Sequence, residues 1–143
     1  MLFVDDAHAI GVLGESGAGT PEHFGLKGEV DVLSGTFGKA LGGAVGGYIA
    51  GKKEIIELLR QKSRTYLFSN SVPPSVVIAS IKALDLLKEK PELLSKVKEN
   101  AEYFRSGAKN LGFNVLESIH PIVPVMLSDA AKTQEMSKKL LEK

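Results

Sequence analysis

Cysteine and tryptophan are both absent from these 143 residues. Without cysteine there is no disulfide framework and no thiolate nucleophile, and the composition suits a reducing compartment such as the cytoplasm. An excess of one charge is missing too: 18 Lys and Arg face 17 Asp and Glu, so no broad field favours nucleic acid or an anionic membrane. No apolar run approaches the roughly 20 residues that span a bilayer. The opening Met-Leu-Phe-Val-Asp-Asp lacks the basic, apolar and small-residue regions of a secretory signal. Repeats and low-complexity tracts are also lacking.

What is present reads as an α/β chain. Leu2 to Val4 is a short apolar run that switches to Asp5-Asp6, the pattern of a buried parallel strand ending at its polar carboxyl edge. In open α/β sheets that edge is where ligands sit. Gly11 to Gly28 has no period and is expected to be a long loop. Val30 to Leu33 predicts a short strand, Ser34 to Lys39 a glycine-bearing turn, and Ala44 to Ala50 a strand of small residues. Lys52 to Lys62 predicts a helix with Ile55, Ile56 and Leu59 on one side, and Tyr66-Leu67-Phe68 an extended segment.

Pro73-Pro74 then opens a helix carrying Val77, Ile81 and Leu84. After Pro91, the residues Leu94, Val97, Ala101, Phe104, Ala108 and Leu111 form an amphipathic stripe expected to pack as core, with Gly112 as its stop. Phe113 to Glu117 and Ile122 to Leu127 are strand candidates, the second placed at an edge or bulge by Pro124, and Ser128 or Asp129 caps a final helix. The change in texture divides the chain into residues 1–93 and 94–143. A first residue already in a strand and a last helix with nothing after it suggest a piece of a longer protein.

Four groups of residues could carry chemistry. Asp5 is the first polar residue after the strand, where a carboxylate can meet a ligand or cap the next turn through backbone N–H groups. His8 follows closely. With Asp6 these two offer metal-ligand types, but no HExxH or dense cluster supports that reading, and His23 and His120 stand apart. Lys39 sits between Ser-Gly-Thr-Phe-Gly and Ala-Leu-Gly-Gly; such small, apolar company can desolvate an amine and make it a nucleophile toward a carbonyl. Ser34, Thr36, Ser69 and Asn70 supply hydroxyl and amide donors of the kind a phosphate uses.

The glycines permit either tight packing or close approach to a ligand. A phosphate loop of the ATPase kind needs four residues between its glycines and a Ser or Thr after Lys; here two residues separate Gly35 from Gly38, and Ala40 follows Lys39. A dinucleotide fingerprint fails because Gly42-Gly43 and Gly46-Gly47 precede a strand.

Val4-Asp5-Asp6-Ala7-His8-Ala9-Ile10-Gly11 followed by Ser34-Gly35-Thr36-Phe37-Gly38-Lys39-Ala40-Leu41-Gly42-Gly43 resembles the α-oxoamine synthases, pyridoxal-phosphate enzymes of the aspartate-aminotransferase-like group. The resemblance covers nearly the whole chain, and Arg64 to Ser71 is most similar to the branch that condenses glycine with acetyl-CoA. It implies fold type I, with residues 1–93 the C-terminal part of a large cofactor-binding domain and 94–143 the start of a small α+β domain.

It also implies that Lys39 holds pyridoxal phosphate as a Schiff base and later acts as base, and that Asp5 pairs with the ring nitrogen. His8 would lie near the phenolic oxygen, Thr36 would touch the phosphate, and Ser69 with Asn70 would reach the phosphate of a neighbouring subunit in a homodimer. A second branch would join alanine to pimeloyl-CoA instead. Family members are more than twice this length, so the resemblance further implies that the chain alone is inactive; a non-catalytic accessory chain is the alternative to an enzyme.

Overall fold

The computed structural model describes residues 1–43 and 45–143. Ala44, expected to open a strand, lies outside the described residues. The chain divides into two compact units, Met1–Lys96 and Val97–Lys143.

The first unit is built on a three-stranded sheet in the order β1-β2-β3, with β1 Phe3–Asp5, β2 Val32–Thr36 and β3 Gly47–Gly51. β1 pairs parallel to β2, aligning Asp5 with Ser34, and β2 pairs antiparallel to β3, aligning Thr36 with Gly47. The parallel pairing sends the polar ends of β1 and β2 to one edge, as the Val4-to-Asp5 switch suggested. Burial differs from expectation: Leu2, just before β1, and Phe3 within it are exposed, so the apolar run is not covered by the described residues.

Between β1 and β2 runs the glycine-rich loop, which holds one short helix, α1, Thr20–His23. β2 extends beyond the expected Leu33 into what reads as a turn. Gly35 belongs to the strand through its pairing with Tyr48 on β3, whose ring covers it so closely that a Cβ there would overlap the ring.

Three helices follow in this unit: α2 Lys53–Lys62, α3 Arg64–Phe68 and α4 Pro74–Glu89. In α2, Glu54 in the first turn and Arg60 and Lys62 in the last complement the helix dipole. α3 corrects the expected extended segment at 66–68: the Ser63 carbonyl accepts from the Tyr66 and Leu67 N–H groups at 3.1 and 3.0 Å, closing a single turn. Three aromatic or branched residues are too few to reveal a period, so strand propensity misled there.

α5, Glu92–Asn110, starts in the first unit and continues into the second. Gly112 ends it at φ +83°, with Phe113 N–H bonded to the Ala108 carbonyl and Gly112 N–H to that of Lys109. That is the paired C-terminal closure a left-handed residue permits. Only part of the expected stripe is core: Leu94, Ala101 and Ala108 are buried, whereas Val97, Phe104 and Leu111 are exposed. In the second unit β4, Asn114–Val115, pairs antiparallel with β5, Val125–Met126, and α6, Ala130–Leu141, follows. Asp129 caps α6 by accepting the Lys132 N–H at 2.9 Å.

Candidate active site

The site assembles at the edge where β1 and β2 end together. Asp5 closes β1, and its Oδ1 accepts the Ala7 N–H at 3.1 Å, so the chain turns at once and carries His8 back over the sheet edge. The turn-capping role weighed for Asp5 is therefore realised. It leaves the carboxylate with further lone pairs, since two oxygens offer about four acceptor sites. The Ala7 N–H, then the Ser34 hydroxyl, hold the Asp5 carboxyl below the usual carboxylate range against the opposing effect of burial, with lesser help from the charges of Lys39 and His8. Asp5 is thus an anion at neutral pH, exposed and able to accept a proton-bearing partner.

Lys39 lies in the connection between β2 and β3, which is closed by Phe37 N–H to the Gly46 carbonyl at 2.9 Å and Gly43 N–H to that of Phe37 at 2.6 Å. Its Nζ stands 3.1 Å from His8 Nε2. Two loops separated by more than thirty residues thereby present an amine and an imidazole to each other, with the Asp5 anion in electrostatic reach of both. The desolvation expected for Lys39 is corrected: its side chain is exposed, and Gly38 and Ala40 beside it are exposed as well. Small neighbours leave an amine accessible when nothing larger stands over them.

Close contacts seat the two loops. An added Cβ at Gly11 would lie 2.9 Å from the Leu41 side chain, so the loop after β1 rests on the turn that carries Lys39. On the other side of that turn, a Cβ at Gly43 would come 2.5 Å from the Ser80 hydroxyl of α4. Ser80 is buried and donates to the Val76 carbonyl at 2.8 Å, which lets the helix come close with no unpaired proton.

Thr36 is placed beside this turn but is already engaged. Its hydroxyl donates to the Gly46 carbonyl at 3.1 Å and accepts the Gly38 N–H at 3.1 Å. A hydroxyl has one proton, so giving it to a phosphate would mean releasing Gly46. Ser69 and Asn70 lie exposed in the irregular stretch after α3.

Two carboxylates escaped the sequence reading. Asp6, considered there only as a metal ligand, is 1% exposed and takes the Thr20 N–H on both oxygens at 3.1 and 3.0 Å. Glu22 accepts from Ser16 N–H, Ser16 Oγ, Ala18 N–H and Lys27 Nζ at 2.6 to 3.0 Å. Burial pushes its carboxyl up, but the Lys27 and Ser16 side chains and the two backbone N–H groups outweigh that and leave it at about 2. The available signal was an unbalanced one: a glycine-rich loop needs polar side chains to bond its backbone, and Asp6, Ser16 and Glu22 are among the few polar residues in or beside it.

The sequence profile described as aminotransferase class I and II matches residues 1–143. The chain is 49% identical over 142 residues to 8-amino-7-oxononanoate synthase of Thermoanaerobacter pseudethanolicus, covering 99% of this chain and 36% of that protein. It is 47% identical over 140 residues to 2-amino-3-ketobutyrate coenzyme A ligase of Escherichia coli K12, covering 98% and 35%. Among solved structures it superposes on serine palmitoyltransferase of S. paucimobilis, solved with a bound PLP–myriocin aldimine, with a TM-score of 0.92 and 35% identity over 99% of this chain and 37% of that one.

The chain belongs to the class I and II aminotransferase family and, within it, to the α-oxoamine synthases. It spans about 36% of the length of the curated relatives it matches.

Proposed function

We propose that this chain contributes the lysine-bearing part of a pyridoxal-phosphate site that joins an amino acid to an acyl-CoA. The observation that carries the reading is the convergence of Lys39 Nζ and His8 Nε2 at 3.1 Å beside an ionised Asp5, at the carboxyl edge of a parallel strand pair. These groups fit the cofactor: an exposed anion complements a protonated pyridine nitrogen, and an exposed amine can bond an aldehyde carbon. When bound, pyridoxal phosphate supplies a ring that withdraws electrons from the substrate's α-carbon.

The chain's own residues divide the remaining tasks. Asp5 keeps a proton on the ring nitrogen, Lys39 anchors the cofactor and then takes the α-proton as a base, and His8 orients the amine and the incoming acyl group. Thr36 holds the Lys39 turn and reaches the phosphate by exchanging its Gly46 contact. Ser69 and Asn70, outside the cluster, serve the phosphate of a second subunit, which makes the working form a homodimer. Residues 1–93 then belong to the large domain and 94–143 to the small one, in a cytoplasmic protein.

For substrates the reading is glycine with acetyl-CoA, giving 2-amino-3-oxobutyrate and CoA, as in glycine C-acetyltransferase; Arg64 to Ser71 supports it by resemblance, and the pathway served would be threonine breakdown. A second reading, alanine with pimeloyl-CoA, draws on the similar identity to proteins named 8-amino-7-oxononanoate synthase. Borohydride reduction of the holoenzyme followed by peptide mass analysis tests the shared part: a pyridoxyl adduct on Lys39 is expected, and its absence defeats the reading. Product formation from the two substrate pairs then separates the branches.

A further inference from the structure

Resting on that cofactor-site reading, we propose that Asp6 is a positioning residue whose buried carboxylate clamps Gly19-Thr20 and so holds Asp5 and His8 in register with Lys39. All three of its polar groups are committed at the site's base. Its N–H donates to the Ser34 carbonyl at 2.8 Å, tying it to β2. Its carbonyl accepts from Ala9 and Ile10 N–H, both at 2.9 Å, closing the turn that contains His8. Its carboxylate takes the Thr20 N–H fourteen residues downstream, with side-chain exposure lost almost entirely.

The clamp has a partner built to admit it. Gly19 has φ +92°, and a Cβ there would overlap Asp6 Oδ2. Any larger residue would be strained in backbone and would expel the carboxylate. A buried anion that loses its N–H keeps its desolvation cost, so the loop and the carboxylate separate together. Because Asp5 precedes this residue and His8 follows two positions later, a shift of the clamp moves both groups relative to Lys39.

Asp6→Ala, Asp6→Asn, Gly19→Ala and Glu22→Gln variants of the holoenzyme test this. Glu22 holds the far side of the same loop without bonding residues 5–8, so Glu22→Gln loosens that side alone. For Asp6→Ala and Gly19→Ala we expect kcat to fall about 10- to 100-fold with KM little changed, the cost of misplacing a catalytic group by about 1 Å. The pH midpoint of the lysine–cofactor absorbance should also move, by about half a unit or more. Asp6→Asn keeps an acceptor oxygen and should recover most of both, whereas Glu22→Gln should lower thermal stability and leave the absorbance titration at its parent midpoint.

Parent-like kcat and titration in Asp6→Ala or Gly19→Ala would overturn the proposal, and so would an equal titration shift in Glu22→Gln. Should Asp6→Ala not fold, Gly19→Ala decides in the same way. If the parent shows no lysine-bound chromophore, the functional reading fails instead. Hydrogen exchange at the Ala9, Ile10 and Thr20 amides then judges the clamp: exchange accelerated in Gly19→Ala supports it, and unchanged protection sinks it.

Discussion

At the residue scale, the charge states of two carboxylates, Asp5 and Glu22, set what can be measured. Asp5→Asn removes the anion that would hold the ring proton, and kcat is expected to drop by about 100-fold or more, the usual cost of deleting one preorganised electrostatic partner. Steady-state turnover of the purified holoenzyme checks it. Glu22 offers a pH test independent of any cofactor. Its folded pKa, about 2, lies below its ordinary value of 4.5, so its contribution to stability is fully present above pH 4.5 and is lost as pH falls toward 2. Exchange at the Ser16 and Ala18 amides, taken relative to their intrinsic rate at each pH, should accelerate through that window and not above it. In Glu22→Gln the acceleration should already be present at neutral pH.

Among the elements, short ones differ from expectation and long ones agree with it. α2, α4 and α5 match their predicted spans within a residue or so because periodicity, first-turn prolines and Gly112 act locally. α3 and the strand residues Ser34 to Thr36 were misread, since each owes its form to a neighbour: the Ser63 carbonyl in one case, the β3 register and Tyr48 in the other. The seating of the Lys39 turn on α4 gives a prediction at this scale. Ser80→Leu would drive extra carbons into the space beside Gly43 and should destabilise the fold by about 2 kcal/mol, as overpacking commonly does. Urea unfolding monitored by circular dichroism measures it. Asp129→Ala should remove the cap of α6 and lower stability of the second unit by about 1 kcal/mol, read as a fall in helicity on warming.

For the whole molecule, the informative quantity is apolar surface left uncovered. Phe3, Phe68, Ile78 and Tyr103 are each more than half exposed, and the buried hydrophobic set is small, consisting of residues such as Val12, Val32, Leu41 and Leu94. Exposed apolar faces of this kind favour association with another surface. Expressed alone, the 143-residue chain is expected to self-associate and to show no acyltransferase activity. Sedimentation showing a clean monomer, or an assay showing product, would contradict this. No described helix is long and apolar enough to cross a membrane, so the exposed surface does not take the form of a helical span.

Residue types and their order were enough to mark Asp5, His8 and Lys39 as candidate chemistry, to exclude thiol and nucleotide-loop alternatives, and to place the long helices, because those inferences rest on covalent identity and on spacing along the chain. Folding settled which of them meet. The 3.1 Å approach of Lys39 to His8, the exposure of that lysine, the engagement of the Thr36 proton by Gly46, and the burial of the Asp6 carboxylate against the Thr20 N–H all depend on contacts the linear order does not show. Burial and hydrogen-bond partnership are properties of a packed environment, which a one-dimensional pattern does not contain.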